Sequence, residues 1–531
     1  MNLIEKFTKS FKNYANKNAL ISSSTSLTYK QLDDSSQQVA SYLIGEGIGE
    51  EDVVTIETNS KLEAILMIMG VIRAGAAYCV IPNDYPDHRK EQMREKVKVK
   101  WVLSDLNMLQ EKPSALLYEP RKRNDNSLLY VIFTSGSTGE PKAVAIEDKA
   151  ITKIVNHEPF YKGEVIGQLA PLEFDASIYE VLGGLLNGLT LRLISKDESL
   201  DFDVLPSLLE EVDSIFLTTR LFNLYVDECV ECFNHLSLVL TGGERCSVSH
   251  MNAAAKHCKV LHVYGPTETT VFATKYEVKG NEREIPIGQL FDKGTYLILD
   301  ENNEEVRNGQ LGELMISDSG LMRGYMGDES ANHKVFFHND TNQRFYRTGD
   351  IVYENLDKQI IYVERKDRQV KISGYRIELG EVEKCAYEFG LQKDCLANYD
   401  GKRLHLFIKD NINIEDLRQF LKSRLPQYMI PTVKVVDIIP MNANGKTDVK
   451  AMNELNPADG NIDHEIITVI RKVLDKDVSM EQTFLELGGD SIKAMEIIWE
   501  LGSKGYPLDL NMLFSRTLGE IVDNVASVAK G

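Results

Sequence analysis

An apolar strand that runs straight into a hydroxyl- and glycine-rich loop ending in lysine limits what this chain can become. The stretch is Tyr130-Val-Ile-Phe-Thr-Ser-Gly-Ser-Thr-Gly-Glu-Pro-Lys-Ala-Val144. Small residues from Thr134 to Gly139, Gly136 among them, let backbone N–H groups approach an anion closely. The hydroxyls of Thr134, Ser135, Ser137 and Thr138 add donors, and Lys142 adds charge. Together they have the chemistry of a phosphate grip. The loop departs from GxxxxGK[ST], because Lys142 follows Pro141 and neither Ser nor Thr comes after it. In isolation such a loop is often an ordinary flexible turn, so its meaning depends on the rest of the chain.

At 531 residues the chain is too long for one core and predicts about three or four units. With 43% apolar and 26% charged residues it is globular. A formal net charge of −20 with no basic cluster to offset it argues against nucleic acid as a general partner. The N-terminus lacks the apolar core of a signal peptide, which predicts a cytoplasmic protein. The run from Leu62 to Ile81 approaches membrane length, but Glu63, Gly70, Arg73 and Gly75 interrupt it. It reads as a buried helix followed by a strand rather than a span, so no membrane partner is expected. Seven scattered cysteines, an odd number, point to a reducing compartment. Cys229, Cys232, Cys246 and Cys258, with His235 and His257, invite a zinc reading, yet the later cysteines stand too far apart to form a second tight pair. Reduced thiols are expected there.

From about residue 30 to 300, short β-branched runs such as Val53–Ile56, Tyr130–Phe133, Ser214–Leu217 and Leu236–Leu240 alternate with longer amphipathic stretches. That rhythm predicts α/β layers with parallel sheets. From Gly288 to Ile361 the texture turns to short strands and turns, as in Thr295–Leu299 and Gly312–Ile316, which predicts a smaller β-rich part. Residues 456–461 form a polar linker, and apolar residues at helical spacing in Ile466–Leu474 and after Ser491 predict a small helical unit at the end.

Further motifs accompany the loop: Leu27-Thr-Tyr-Lys-Gln-Leu32, Arg73-Ala-Gly-Ala-Ala-Tyr78, Phe174-Asp-Ala-Ser177, Tyr264-Gly-Pro-Thr-Glu-Thr-Thr270, Tyr346-Arg-Thr-Gly-Asp350, Gln369–Glu381, Leu425–Pro431, Asn444-Gly-Lys446 and Leu487-Gly-Gly-Asp-Ser491. In this order, and over almost the whole chain, they resemble the adenylation domain of nonribosomal peptide synthetases followed by its peptidyl carrier domain, within the adenylate-forming enzymes. The resemblance implies an α/β multidomain protein of the adenylate-forming fold, with a mobile α+β C-terminal lid and a small α-helical carrier bundle. Its expected parts are an adenylation core over 1–366, the lid over 367–452 with Asp367 as hinge, a linker over 453–461 and the carrier over 462–531.

The implied chemistry begins with attack of an amino-acid carboxylate on the α-phosphate of ATP. Charge gathers on phosphate oxygens, so cations and oriented donors are required. The resemblance makes the Thr134–Lys142 loop the holder of the β- and γ-phosphates, Glu268 the Mg²⁺ ligand, Thr267 a phosphate contact and Tyr264 the residue that stacks on adenine. Asp350 would chelate the ribose hydroxyls beside Arg365, and Gly243 and Glu244 would supply backbone contacts to adenine. Lys446 would bridge the substrate carboxylate and the transferring phosphate, holding like charges together. Later in the cycle Gly374 and its neighbours would replace Lys446.

Asp175 is expected to pair with the substrate's α-ammonium, because a carboxylate in an apolar pocket is costly without a cation; read alone, it would also suit a helix N-cap. The matching side-chain pocket is Ala176, Tyr179, Phe216, Leu240, Gly242, Val263, Val271 and Phe272, almost entirely apolar. It predicts a branched aliphatic substrate, isoleucine first, then leucine and valine, although the Tyr179 hydroxyl needs a partner if buried. Ser491 resembles the serine that receives 4′-phosphopantetheine, whose thiol would take the aminoacyl group as a thioester. Implied partners are a phosphopantetheinyl transferase, a downstream condensation or epimerisation domain and an MbtH-like protein, in a setting of antibiotic biosynthesis. A start at Met1 with no preceding condensation domain predicts an initiation module. Ala143, Cys79–Pro82 and Val449 depart from the family pattern without removing a named catalytic group. Competing readings are an acyl-CoA synthetase of the same superfamily, opposed by Asp175 and the fused carrier; an aminoacyl-tRNA synthetase, opposed by the missing signature motifs; and an interaction protein with a decayed nucleotide fold, opposed by intact Lys446, Asp350, Glu268 and Ser491.

Overall fold

The computed structural model describes residues 3–107, 121–136, 140–306, 309–372, 374–391, 395–401, 403–410, 412–436, 462–474, 478, 482–484, 487, 491–502, 504, 506 and 508–529. By compactness the chain falls into two units, Met1–Glu378 and Leu379–Gly531.

The larger unit holds two mainly parallel sheets. In the six-stranded sheet the order is Gly324–Tyr325, Lys142–Glu147, Leu128–Thr134, Ala77–Val80, Val53–Ile56 and Trp101–Leu103. Its last four strands are parallel, whereas Lys142–Glu147 runs antiparallel to Leu128–Thr134 and sets Lys142 opposite Thr134. The apolar run after Leu62 becomes the helix Lys61–Arg73 and then the strand Ala77–Val80, both almost wholly buried. Ser60 caps that helix by accepting from the Glu63 amide. Among the described residues no helix is long and apolar enough to cross a membrane.

The nine-stranded sheet has at its centre the parallel strands Val165–Gln168, Ser214–Thr218, Leu238–Gly242 and Val260–Tyr264. All four are buried along most of their length, as strands covered on both faces must be. The β-rich part forms a five-stranded antiparallel sheet around the long strand Arg344–Glu354, and a separate hairpin pairs Gln369–Ile372 with Tyr375–Glu378. Gly374 closes that hairpin at φ +85°, where glycine carries no Cβ penalty.

The smaller unit carries the helices Leu379–Phe389 and Ile414–Arg424 and a three-stranded sheet. Its last part is helical, with Ile462–Leu474, Ser491–Gly502, Leu510–Ser515 and Leu518–Ala529 around a core that includes Ile466, Ile470, Phe484, Ile497, Leu513 and Ile521. The β-rich segment and the terminal helices stand where the sequence pattern placed them.

Candidate active site

The strand Leu128–Thr134 ends at the glycine-rich loop, and its antiparallel partner returns Lys142 to the loop's base. The Thr134 hydroxyl is buried and has no hydrogen-bond partner among the described residues. The Ser135 hydroxyl donates to the Arg376 carbonyl at 2.7 Å and accepts from the Glu378 amide at 3.0 Å, tying the loop to the hairpin's second strand. A Cβ on Gly136 would lie 1.8 Å from the Glu140 carbonyl oxygen, so only glycine fits there. Lys142 Nζ lies 3.8 Å from Glu378 and 5.6 Å from the centre of the Tyr325 ring. Ser137, Thr138 and Gly139 lie outside the described residues.

Glu268 follows the strand Val260–Tyr264 on a short turn and is fully buried. Arg376 Nη1 donates to both of its carboxylate oxygens at 2.9 and 2.8 Å, and the Tyr325 hydroxyl donates to one at 2.6 Å. Burial alone would raise the Glu268 pKa; the Arg376 charge and the Tyr325 hydrogen bond outweigh it and hold the carboxyl below its ordinary range. Asp350, also buried, accepts from the Tyr264 hydroxyl at 2.5 Å and from Arg365 Nη1 at 3.1 Å. The hydroxyl of Tyr264 is therefore committed to Asp350, and its ring face is what remains for stacking. Arg365 also grips Asp367 with two bonds, 2.9 and 2.6 Å, while Asp367 accepts from the Gln369 amide at 3.2 Å. Gly243 is at φ +101°, and the next residue, Glu244, accepts from the Gly374 amide at 2.7 Å. The Gln369–Glu378 hairpin thus touches Ser135, Glu244 and Glu268 within one unit.

Asp175 precedes the short helix Ala176–Ile178 and makes no side-chain capping bond to it, although the Ala176 amide still pulls on its carboxylate. Part of its surface is open, yet the surrounding protein pushes its pKa up to about 6, against the pull of the Thr267 hydroxyl and Lys371. Thr267 is thereby placed beside Asp175. Phe216, Leu240, Gly242 and Val263 stand on three adjacent parallel strands, with Phe216 opposite Leu240 and Gly242 opposite Val263. That register puts all four on one face of the sheet. A Cβ on Gly242 would fall 2.0 Å from the Val263 carbonyl oxygen, so no side chain can project from that position. Phe272 packs in tilted contact with Phe216 at 5.6 Å and Tyr179 at 5.7 Å between ring centres. The Tyr179 hydroxyl donates to the Phe160 carbonyl at 2.9 Å, which supplies the partner its burial requires.

Several partners had no sequence signal that singled them out. Tyr325 and Phe160 stand alone in the sequence, and nothing in the Gln369–Glu381 motif marks Arg376 as the partner of Glu268. Ser491 is the first residue of the helix Ser491–Gly502. Lys446 and the linker 453–461 lie outside the described residues.

Residues 7–326 match the family of AMP-binding enzymes, and residues 464–525 match the phosphopantetheine attachment site. The chain belongs to the AMP-binding enzyme family. It joins an AMP-binding domain to a phosphopantetheine attachment site in one chain. It is 32% identical to bacitracin synthase 1 of Bacillus licheniformis over 93% of this chain and 10% of the relative. To tyrocidine synthase 3 of Brevibacillus parabrevis it is 31% identical over 96% of this chain and 9% of the relative. The chain thus spans about a tenth of the length of these curated relatives. Among solved structures it is similar to a holo nonribosomal peptide synthetase protein containing adenylation and PCP domains, bound to a vinylsulfonamide inhibitor. The TM-score is 0.78 at 25% identity, over 99% of this chain and 96% of that one. The Vibrio cholerae adenylation domain AlmE, in complex with glycyl-adenosine-5′-phosphate, shares the fold at 18% identity, with a TM-score of 0.75 over 85% of this chain and 97% of that one. The Glu268 carboxylate is the hard oxygen donor that Mg²⁺ prefers, although both its oxygens are engaged by Arg376 here.

Proposed function

We propose that the chain joins a branched aliphatic amino acid, isoleucine before leucine or valine, to AMP with release of pyrophosphate, and passes the aminoacyl group as a thioester to the arm carried at Ser491. The observation that carries this reading is Asp175, a carboxylate pushed up to about 6 by burial beside pocket residues that are all apolar apart from the Tyr179 hydroxyl. That hydroxyl is committed to the Phe160 carbonyl, which leaves the substrate side chain apolar surface. A substrate ammonium would pair with Asp175 and bring it back to the ionised form. Thr267, beside Asp175, and the neighbouring Glu268 link the amino-acid end of the site to its phosphate end.

In this reading Thr134 and Lys142 hold phosphate oxygens, and Asp350, oriented by Tyr264 and Arg365, accepts from the ribose. Glu268 would hold Mg²⁺, which supplies charge neutralisation when bound. Lys446 positions the two anionic reactants in the first half-reaction. The expected partners are a phosphopantetheinyl transferase that modifies Ser491, a downstream condensation or epimerisation domain and an MbtH-like protein.

The test is ATP–pyrophosphate exchange with each proteinogenic amino acid. Exchange is expected with isoleucine, leucine and valine, with incomplete discrimination, because one methylene in an apolar pocket is worth about 1–3 kcal/mol. Efficient exchange with a charged amino acid and none with these three would refute the pocket assignment.

A further inference from the structure

The turn after Glu268 is held in a conformation its own residues resist. Thr270 and Val271, both β-branched, lie at φ +59° and +64°, a region such side chains avoid at a cost of roughly 1–3 kcal/mol each. Surroundings have to impose it. From one side the Thr270 hydroxyl donates to the Gly320 carbonyl at 2.6 Å, and the Phe272 amide closes on the Thr270 carbonyl at 2.8 Å. From beneath, Lys153 Nζ donates to the Thr269 carbonyl at 2.5 Å and pairs with Asp318 at 2.8 Å, both side chains being at most 1% exposed. The second Asp318 oxygen accepts from the Gly320 amide at 2.8 Å. A Cβ on Gly320 would stand 2.7 Å from the Thr269 carbonyl oxygen and 2.3 Å from both Cε and Nζ of Lys153, so the approach needs glycine.

A lysine in the last turn of a helix, here Asp148–Val155, ordinarily extends to water. Burying it with an aspartate costs desolvation that the pair itself need not repay. What the arrangement delivers is a fixed Thr269 carbonyl, and the turn it fixes has Glu268 at one end and the pocket residues Val271 and Phe272 at the other. We infer that Lys153 and Asp318 are a positioning pair that sets amino-acid selectivity by holding Val271 and Phe272 against the substrate side chain. This rests on the reading of the pocket given above.

The test uses the full chain and three variants, Lys153→Met, Asp318→Asn and Lys153→Met/Asp318→Leu, with pyrophosphate exchange on isoleucine and valine. For Lys153→Met we expect the amino-acid KM to rise and the isoleucine-to-valine ratio of kcat/KM to fall about tenfold, with a smaller change in the KM for ATP because Arg376 and Tyr325 also hold Glu268. The double variant, which leaves no unpaired charge, should recover thermal stability but not selectivity, because the Thr269 carbonyl still lacks its donor. Selectivity that stays constant in Lys153→Met, or that returns together with stability in the double variant, would overturn the proposal. Asp318→Asn carries the same measurement if Lys153→Met does not fold. A wild type silent with every amino acid would refute the pocket reading instead, and amide hydrogen exchange over residues 268–272 then decides the pair by itself. Faster exchange in the variants supports positioning, and unchanged exchange contradicts it.

Discussion

Arg376 holds both carboxylate oxygens of Glu268, at 2.9 and 2.8 Å, across 108 residues of sequence. Arg376 and Tyr325 together take three of the acceptor positions on that carboxylate, so any cation placed there would share it with the hairpin.

Arg376→Met should therefore loosen the Gln369–Glu378 hairpin. Removing one partner of a buried pair costs about 3–5 kcal/mol, and amide hydrogen exchange in the hairpin is expected to rise sharply while strands such as Leu238–Gly242 stay protected. Pyrophosphate exchange should survive and thioester loading should fall. Hairpin amides that exchange as in the wild type would show that the pair does not hold the hairpin.

Asp175 predicts a pH dependence with a definite sign. Its pKa is raised to about 6 by burial, and a substrate ammonium needs the ionised form. The amino-acid KM should be flat above pH 6 and rise about tenfold per unit below it. Because the raised pKa costs stability above the ordinary carboxylate range, Asp175→Asn should melt higher than the wild type at pH 8 while losing exchange activity. An Asn variant that melts lower at pH 8, or a KM flat from pH 7 to 5, would contradict this.

Tyr179→Phe leaves the Phe160 carbonyl without its donor. The expected loss is about 1 kcal/mol of stability with no new acceptance of polar amino acids in the exchange assay. A variant that begins to prefer threonine or serine would mean that the hydroxyl faces the substrate.

The legible part of this molecule was local. The strand entering the glycine-rich loop, the helix-then-strand at Leu62–Ile81 and the short strands after Gly288 follow from patterns within a few residues of one another, and so does the helix begun by Ser491. What stayed hidden is long-range. Lys153 reads as a solvated helix-end cation until Asp318, 165 residues away, is folded onto it. Tyr325 carries no motif at all, and the use of Arg376 depends on where a two-stranded hairpin docks. The strain at Thr270 and Val271 is likewise invisible in the sequence, since both are strand formers in isolation.

Division of labour between the half-reactions is testable through Asp367 and Lys446. Asp367→Pro restricts φ at the expected hinge and should impair thioester formation more than pyrophosphate exchange, whereas Lys446→Ala should abolish exchange yet load preformed aminoacyl-AMP. Because Asp367 also braces Arg365, Asp367→Ala is the necessary control, expected to affect both steps alike. Equal losses in both half-reactions for the proline and lysine variants would favour one fixed active site.

The most direct measurement is the intact mass of the chain after treatment with a phosphopantetheinyl transferase, then with ATP, Mg²⁺ and isoleucine. Two successive additions are expected, the pantetheine arm and then one isoleucyl group, and Ser491→Ala should take up neither while retaining pyrophosphate exchange. A Ser491→Ala chain that still gains both, or a wild-type chain that gains the arm and accepts no aliphatic amino acid, would contradict the account.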